Sequence, residues 1–227
     1  MAPKLYSIDL SPPCRAVMML CELQKIPIEY ITVDVLGNEN LKEDYVKRNP
    51  MHTVPTLEDG DLVIHDSHVI LTYLTEKYGN LQWYPKDLKQ RALVDQKLYF
   101  DALVFTKLKG IIYPMSFSGT QIIIFQTYGF LEQFLTRTKY IAGDNMTIAD
   151  ISLIATLSSL HYIVPKQIIG RNANTVKFEL RNYLLNIEKR QNKIFAHLFM
   201  YLIYHNFTSV SYLQFNIKLN FKLDRYN

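Results

Sequence analysis

Long apolar runs are missing from this chain. No stretch nears the ~20 apolar residues that a membrane span requires, and the opening MAPKLYSIDL has neither an extended apolar core nor a small-residue cleavage site. Both absences argue against membrane insertion and export and point to a cytoplasmic location. Cysteine is scarce: only Cys14 and Cys21 occur. Seven residues apart, they share one face of a helix, which suits buried thiols in a reducing compartment better than a disulfide. They form neither a Cys-x-x-Cys pair nor a metal-ligand set. Charge of one sign does not dominate either, the net value being +4. The basic excess lies in residues 166–227, which hold ten Lys or Arg against three Asp or Glu. These cations are scattered among Asn, Phe, Tyr and Leu without a recognition motif, which argues against nucleic acid as a partner.

What the chain does have is enough apolar content, 48% of 227 residues, to bury one large domain or two modest ones. Its first 80 residues alternate strand and helix signals. Leu5–Leu10 reads as a strand, Pro13 to about Gln24 as a helix, and Ile28–Asp34 as a half-buried strand, which together make a βαβ unit. A short helical piece ends near Asn49-Pro50. Two further strands, Thr56–Glu58 and Leu62–His65, flank Asp59-Gly60-Asp61, a hairpin signal. A helix from about Ser67 to Tyr78 stops at Gly79. Beyond Pro85 the pattern is helical, with Leu93, Lys97, Leu98, Asp101, Ala102 and Phe105 on one stripe and a second segment over Ile122–Thr136. Thr147 and Asp150 approximate a capping box, bracketed by Met146 and Ile151 as a hydrophobic staple. That start is read as structural.

Four short segments carry the chemistry. Lys4–Leu10 runs into Ser11-Pro12-Pro13-Cys14-Arg15, so Ser11 lies where a helix dipole favours an anion. Thr53-Val54-Pro55-Thr56-Leu57 places a proline where it cannot donate a ladder hydrogen bond, which implies an edge or a special peptide geometry. Asp66-Ser67-His68 starts a helix with an acid and a hydroxyl. Taken singly, each has a plain alternative: Ser11 a helix cap, Pro55 a turn proline, Asp66-Ser67 ordinary capping, and His52 a solvated loop residue.

Taken together and in order, LSPPCRA, NPMHTVPTL, HDSHVI and the Thr147-Ile-Ala-Asp150 start resemble the cytosolic glutathione transferases, most closely the insect delta and epsilon classes and epsilon by preference. The resemblance implies an α/β thioredoxin-like domain over residues 1–80, a linker at 81–87 and an all-helical domain over 88–165. It implies a homodimeric detoxification enzyme that uses glutathione as co-substrate, without a tightly bound cofactor, to attack a hydrophobic electrophile. Ser11 would then stabilise the glutathione thiolate by a hydrogen bond. An unperturbed thiol, with pKa ~8.5, is mostly protonated at neutral pH, so this help matters. Pro13, His52, Val54, Pro55, Asp66, Ser67 and His68 would form the glutathione site. Within it the Val54 backbone pairs with the cysteinyl unit across a cis proline, Asp66 meets the γ-glutamyl ammonium, Ser67 the γ-glutamyl carboxylate and His52 the glycyl carboxylate. His68 is similar to a histidine that stacks across the subunit interface in epsilon relatives.

Helical phase marks Leu103, Lys107, Ile111, Met115 and Phe117 as an acceptor pocket, mostly apolar. Relatives usually place a histidine where this chain has Asn40, so anchoring of the glycyl end is expected to be weaker. Two other readings remain beside the transferase: a binding or assembly module without a finished acceptor site, and a thiol reductase working through Cys14. Tyr6, in strand phase, is expected to pack or hydrogen-bond behind Ser11. Residues 166–227, with nine asparagines, depart from the family pattern and read either as a diverged extension or as a segment that selection never shaped.

Overall fold

The computed structural model describes residues 2–112 and 120–163. Its four strands, β1 (Lys4–Ser7), β2 (Glu29–Thr32), β3 (Thr56–Asp59) and β4 (Leu62–His65), lie in the order β2-β1-β3-β4. β1 and β2 run parallel, in register Leu5 with Tyr30, because helix α1 (Pro12–Gln24) crosses between them. β3 and β4 pair antiparallel across the Asp59–Leu62 register, with Gly60 at φ 68 supplying the left-handed turn that Asp-Gly predicts.

β1 is shorter than the apolar run suggests. It ends at Ser7, because the Ile8 carbonyl accepts from Ser11 N and the Asp9 and Leu10 carbonyls accept from Arg15, so that no ladder can continue. β2 lies at the sheet edge and is mostly exposed, so its burial falls on flanking Ile26 and Val33 instead. α2 (Glu43–Arg48) ends just before the predicted Asn49-Pro50 stop. α3 (Ser67–Tyr78) and its stop at Gly79 match the sequence signals.

The helical layer comprises α4 (Leu88–Ile112), α5 (Thr120–Arg137) and α6 (Ile148–Ile163). Asp87 starts α4 by accepting from Gln90 N at 2.9 Å. The buried stripe of α4 runs through Val94, Leu98, Asp101 and Val104, and Leu93, expected on it, is 48% exposed. α6 packs on both α1 and α4. Its residues Ile148 to Ser158 are all buried, and they join Leu5, Leu57, Val17, Leu20, Ile70, Leu71 and Leu74 in the core. The sheet and the three helices belong to one compact unit, an α/β layer followed by an all-helical layer. The atypical segment 166–227 lies outside the described residues.

Candidate active site

Ser11 is the N-cap of α1, with extended backbone at φ −81 and ψ 119, yet its side chain makes no capping hydrogen bond. An N-cap oxygen accepts from the second or third helical N–H, and the second, on Pro13, is missing, as is the first on Pro12. Ser11 N is itself bonded to the Ile8 carbonyl at 3.0 Å, so Cys14 N–H is the donor left at this helix end. The mouth of α1 is therefore a weaker cradle for oxyanions than a four-donor start, and the hydroxyl of partly exposed Ser11 is its principal polar group.

Cys14 lies one turn further in and is fully buried. Burial pushes its thiol up to about 11, although a hydrogen bond from the Ser11 side chain, the Ile8 backbone and the Arg15 charge all act to lower it. Cys21 is raised further, to about 12, again by burial. Neither is an ionised nucleophile at neutral pH.

The second candidate segment is the loop into β3. The Val54–Pro55 peptide is cis, with Pro55 buried and Val54 partly exposed at the strand entrance. Tyr45 and Asn49 fix this loop from beneath. Tyr45 Oη donates to the Thr53 carbonyl at 2.7 Å, and Asn49 Nδ2 reaches the Thr53 carbonyl at 2.9 Å and Thr56 Oγ1 at 2.9 Å. His52 is exposed and left-handed at φ 45. Its carbonyl accepts from Asn40 Nδ2 at 2.8 Å, so Asn40 orients the His52 backbone.

The third candidate segment is the start of α3. Asp66, at φ 77, is the N-cap, and its carboxylate accepts from His68 N at 2.9 Å and Val69 N at 3.3 Å. A positive φ at a non-glycine residue is a strained setting that clusters at ligand sites. Ser67 is buried at the first helical position. The hydrogen bond from His68, ahead of burial, holds Asp66 below the usual carboxylate range.

His68 joins two elements within the chain: Nδ1 meets Asp66 Oδ1 at 3.2 Å and Nε2 meets Asp101 Oδ2 at 3.0 Å, with the side chain only 16% exposed. Burial opposes the charged ring, but the two carboxylates prevail and raise its pKa to about 9. Asp101, on α4 and 2% exposed, also accepts from Ser152 Oγ of α6 at 2.5 Å. Its Oδ1 has no partner among the described residues. The sequence does place Asp101 in the inward stripe of α4, and a carboxylate on such a stripe requires partners; that was the available signal for its part in the site.

Tyr6 Oη donates to Glu58 Oε2 at 3.2 Å, and the Arg48 guanidinium lies over its ring. Of the acceptor-pocket candidates, Leu103 and Lys107 lie exposed on α4. The side chain of Ile111, and residues Met115 and Phe117, lie outside the described residues.

The chain matches the family description "Glutathione S-transferase, N-terminal domain" over residues 5–82 and "Glutathione S-transferase, C-terminal domain" over residues 121–195. The second match runs beyond Pro165, where motif reading finds the pattern ending. Glutathione S-transferase 1 of Manduca sexta is 44% identical over 174 residues, covering 72% of this chain and 80% of that protein. A glutathione transferase homologue from Drosophila mojavensis, solved with bound glutathione, superposes with a TM-score of 0.69 at 35% identity, covering 90% of this chain and 97% of that one. An epsilon-class glutathione S-transferase from the housefly Musca domestica gives a TM-score of 0.68 at 34% identity, covering 92% of this chain and 100% of that one. With its thioredoxin-like sheet, helical second layer and insect delta- and epsilon-class relatives, the chain belongs to the glutathione S-transferases and is an enzyme of that family.

Proposed function

We propose that this enzyme holds glutathione as a thiolate through the Ser11 hydroxyl and conjugates it to hydrophobic electrophiles as a detoxification step in the cytoplasm. The thiol proton leaves to solvent, the sulfur forms a bond to electrophilic carbon, and the electron pair departs with the leaving group or onto an activated double bond. The observation that carries this reading is a serine hydroxyl at a helix mouth, uncommitted to capping. The hydroxyl leans toward the Cys14 thiol, and hydroxyl rotors turn readily to a stronger acceptor such as a thiolate. Each unit by which the thiol pKa falls is worth about 1.4 kcal/mol of preference for the anion.

The remaining segments suit the rest of the tripeptide. Asp66, its carboxylate oriented by His68, is matched to the γ-glutamyl ammonium, and Ser67 at the start of α3 to its carboxylate. Val54, beside the cis Pro55, offers backbone for strand-like pairing with the cysteinyl unit. His52 serves the glycyl carboxylate, Pro13 packs beside the sulfur, and His68 acts through Asp66 rather than on the ligand. Leu103 and Lys107 of α4, with Ile111, Met115 and Phe117, line the acceptor side. Two copies pair as a homodimer. The glutathione held by the Drosophila mojavensis homologue supports glutathione as co-substrate.

Conjugation of glutathione to a generic aryl halide tests the assignment. Ser11→Ala is expected to lower kcat/KM about 10- to 100-fold at neutral pH, as a thiol pKa one or two units higher requires. Cys14→Ala is expected to leave it within about twofold, because the deleted thiol is buried and protonated. Loss in the cysteine variant with retention in the serine variant would move the assignment to a thiol reductase.

A further inference from the structure

Arg15 stands four residues after Ser11, and its guanidinium reaches four acceptors among the described residues. Nη1 donates to the Asp9 carbonyl at 3.0 Å and the Leu10 carbonyl at 2.9 Å. Nη2 donates to the Ala155 carbonyl at 3.3 Å and lies 3.4 Å from Ser158 Oγ, both on α6. The first two acceptors belong to the three-residue loop, Ile8–Leu10, that leaves β1 and delivers Ser11. The third carbonyl of that loop, on Ile8, takes the Ser11 N–H at 3.0 Å. Every loop carbonyl is therefore held, two of the three by one side chain.

This arrangement answers a question that the helix start raises. A serine at an N-cap ordinarily fixes its own loop by bonding into the helix, and Ser11 does not. Something else must hold the turn. We propose that Arg15 is a positioning residue for Ser11: its forked guanidinium clamps the Ile8–Leu10 loop to α6, so that the serine hydroxyl is presented at the helix mouth without being spent on the cap. The proposal rests on the reading of Ser11 as the thiolate donor. The fork is specific to arginine, whose planar donors reach several fixed acceptors at once, whereas lysine supplies a point charge on a flexible stem. The charge itself acts in a helpful sense at this end of α1, easing ionisation of the neighbouring Cys14 thiol while Asp9 opposes it. The packing of α6 on α1 gives the clamp a rigid far end.

The test uses the full chain, the variants Arg15→Lys, Arg15→Gln and Ser11→Ala, and glutathione as the probe. The thiol of protein-bound glutathione is titrated by its ultraviolet thiolate absorbance. Affinity for S-methylglutathione, which has no thiol to ionise, and the thermal midpoint are measured alongside. Arg15→Lys keeps the charge and loses the fork, so the bound thiol should titrate up to about one unit higher and kcat at neutral pH should fall about three- to tenfold, with S-methylglutathione affinity within about twofold. Arg15→Gln should shift the thiol further; if that variant does not fold, the lysine variant carries the comparison alone. A lowered thermal midpoint with a wild-type thiol titration in Arg15→Lys would reduce Arg15 to a structural tie and overturn the proposal. If Ser11→Ala raises the thiol pKa while Arg15→Lys does not, only the clamp is lost. If Ser11→Ala leaves the pKa unchanged, the thiolate reading falls and the clamp with it.

Discussion

His68 is the residue whose titration this fold most depends on. Two carboxylates on different elements share its ring, and its pKa is raised to about 9 from an ordinary value near 6.5. A raised folded-state value means that the stabilisation is fully present below about pH 6.5 and is lost as pH climbs through about 9. The window is worth about 3 kcal/mol in all. Urea midpoints taken at about pH 7 and about pH 9.5 should therefore fall, and His68→Asn should flatten the difference. The mutant should also bind glutathione more weakly, since Asp66 loses the ring that orients its carboxylate. At this scale the sequence is legible only where partners are close in the chain. Ser11, Asp66 and Ser67 could be read as site residues because each opens a helix. The pairing of His68 with Asp101 spans 33 residues and that of Arg15 with Ala155 spans 140. Local pattern carries no trace of such partners.

Among the elements, the start of α6 behaves as its motif suggests but with the roles of the two residues uneven. Asp150 does most of the bonding: its carboxylate accepts from Thr147 N at 2.9 Å, Thr147 Oγ1 at 3.2 Å and Ile141 N at 3.0 Å. Thr147 donates rather than caps through its oxygen. Burial lifts Asp150 to about 6 despite these bonds, so its proton is held more tightly in the folded state, and this residue's contribution weakens as pH rises from about 4 to about 6. Asp150→Ala strands buried N–H groups and is expected to cost about 3 kcal/mol by urea denaturation, whereas Asp150→Asn should remove the pH slope. The capping box, the Asp-Gly hairpin and the Gly79 stop are legible because each is a local bargain between neighbouring residues. The end of β1 is not, since Ile8 and Leu10 are apolar enough to continue a strand and only Arg15 and Ser11 withdraw their neighbourhood from the ladder. The α4 stripe departs from its reading at one end: Val94 is buried in place of neighbouring Leu93, while Lys97, Leu98 and Asp101 lie on it as read.

At the scale of the whole molecule, the sheet layer and the helical layer are tied where the chain passes between them. Arg91 of α4 bonds Glu76 of α3 at 2.7 Å and the Pro85 carbonyl at 2.8 Å while lying over the Tyr84 ring. Val69, Tyr99 and Leu103, at 49%, 75% and 63% exposure, leave apolar surface on α3 and α4, in keeping with the proposed homodimer. Sedimentation of the full chain should return about twice its 26.6 kDa, and a single-chain mass at micromolar concentration would refute pairing. The two prolines behind Ser11 have a wider consequence. A helix opening rich in amide protons would attract the inorganic phosphate and sulfate that fill any cell, and a site so occupied would stand blocked. With two of those protons deleted, hard oxyanions gain little by entering, while a soft sulfur anion served by the Ser11 hydroxyl loses less. The doorway is thus filtered by what its imino acids cannot offer.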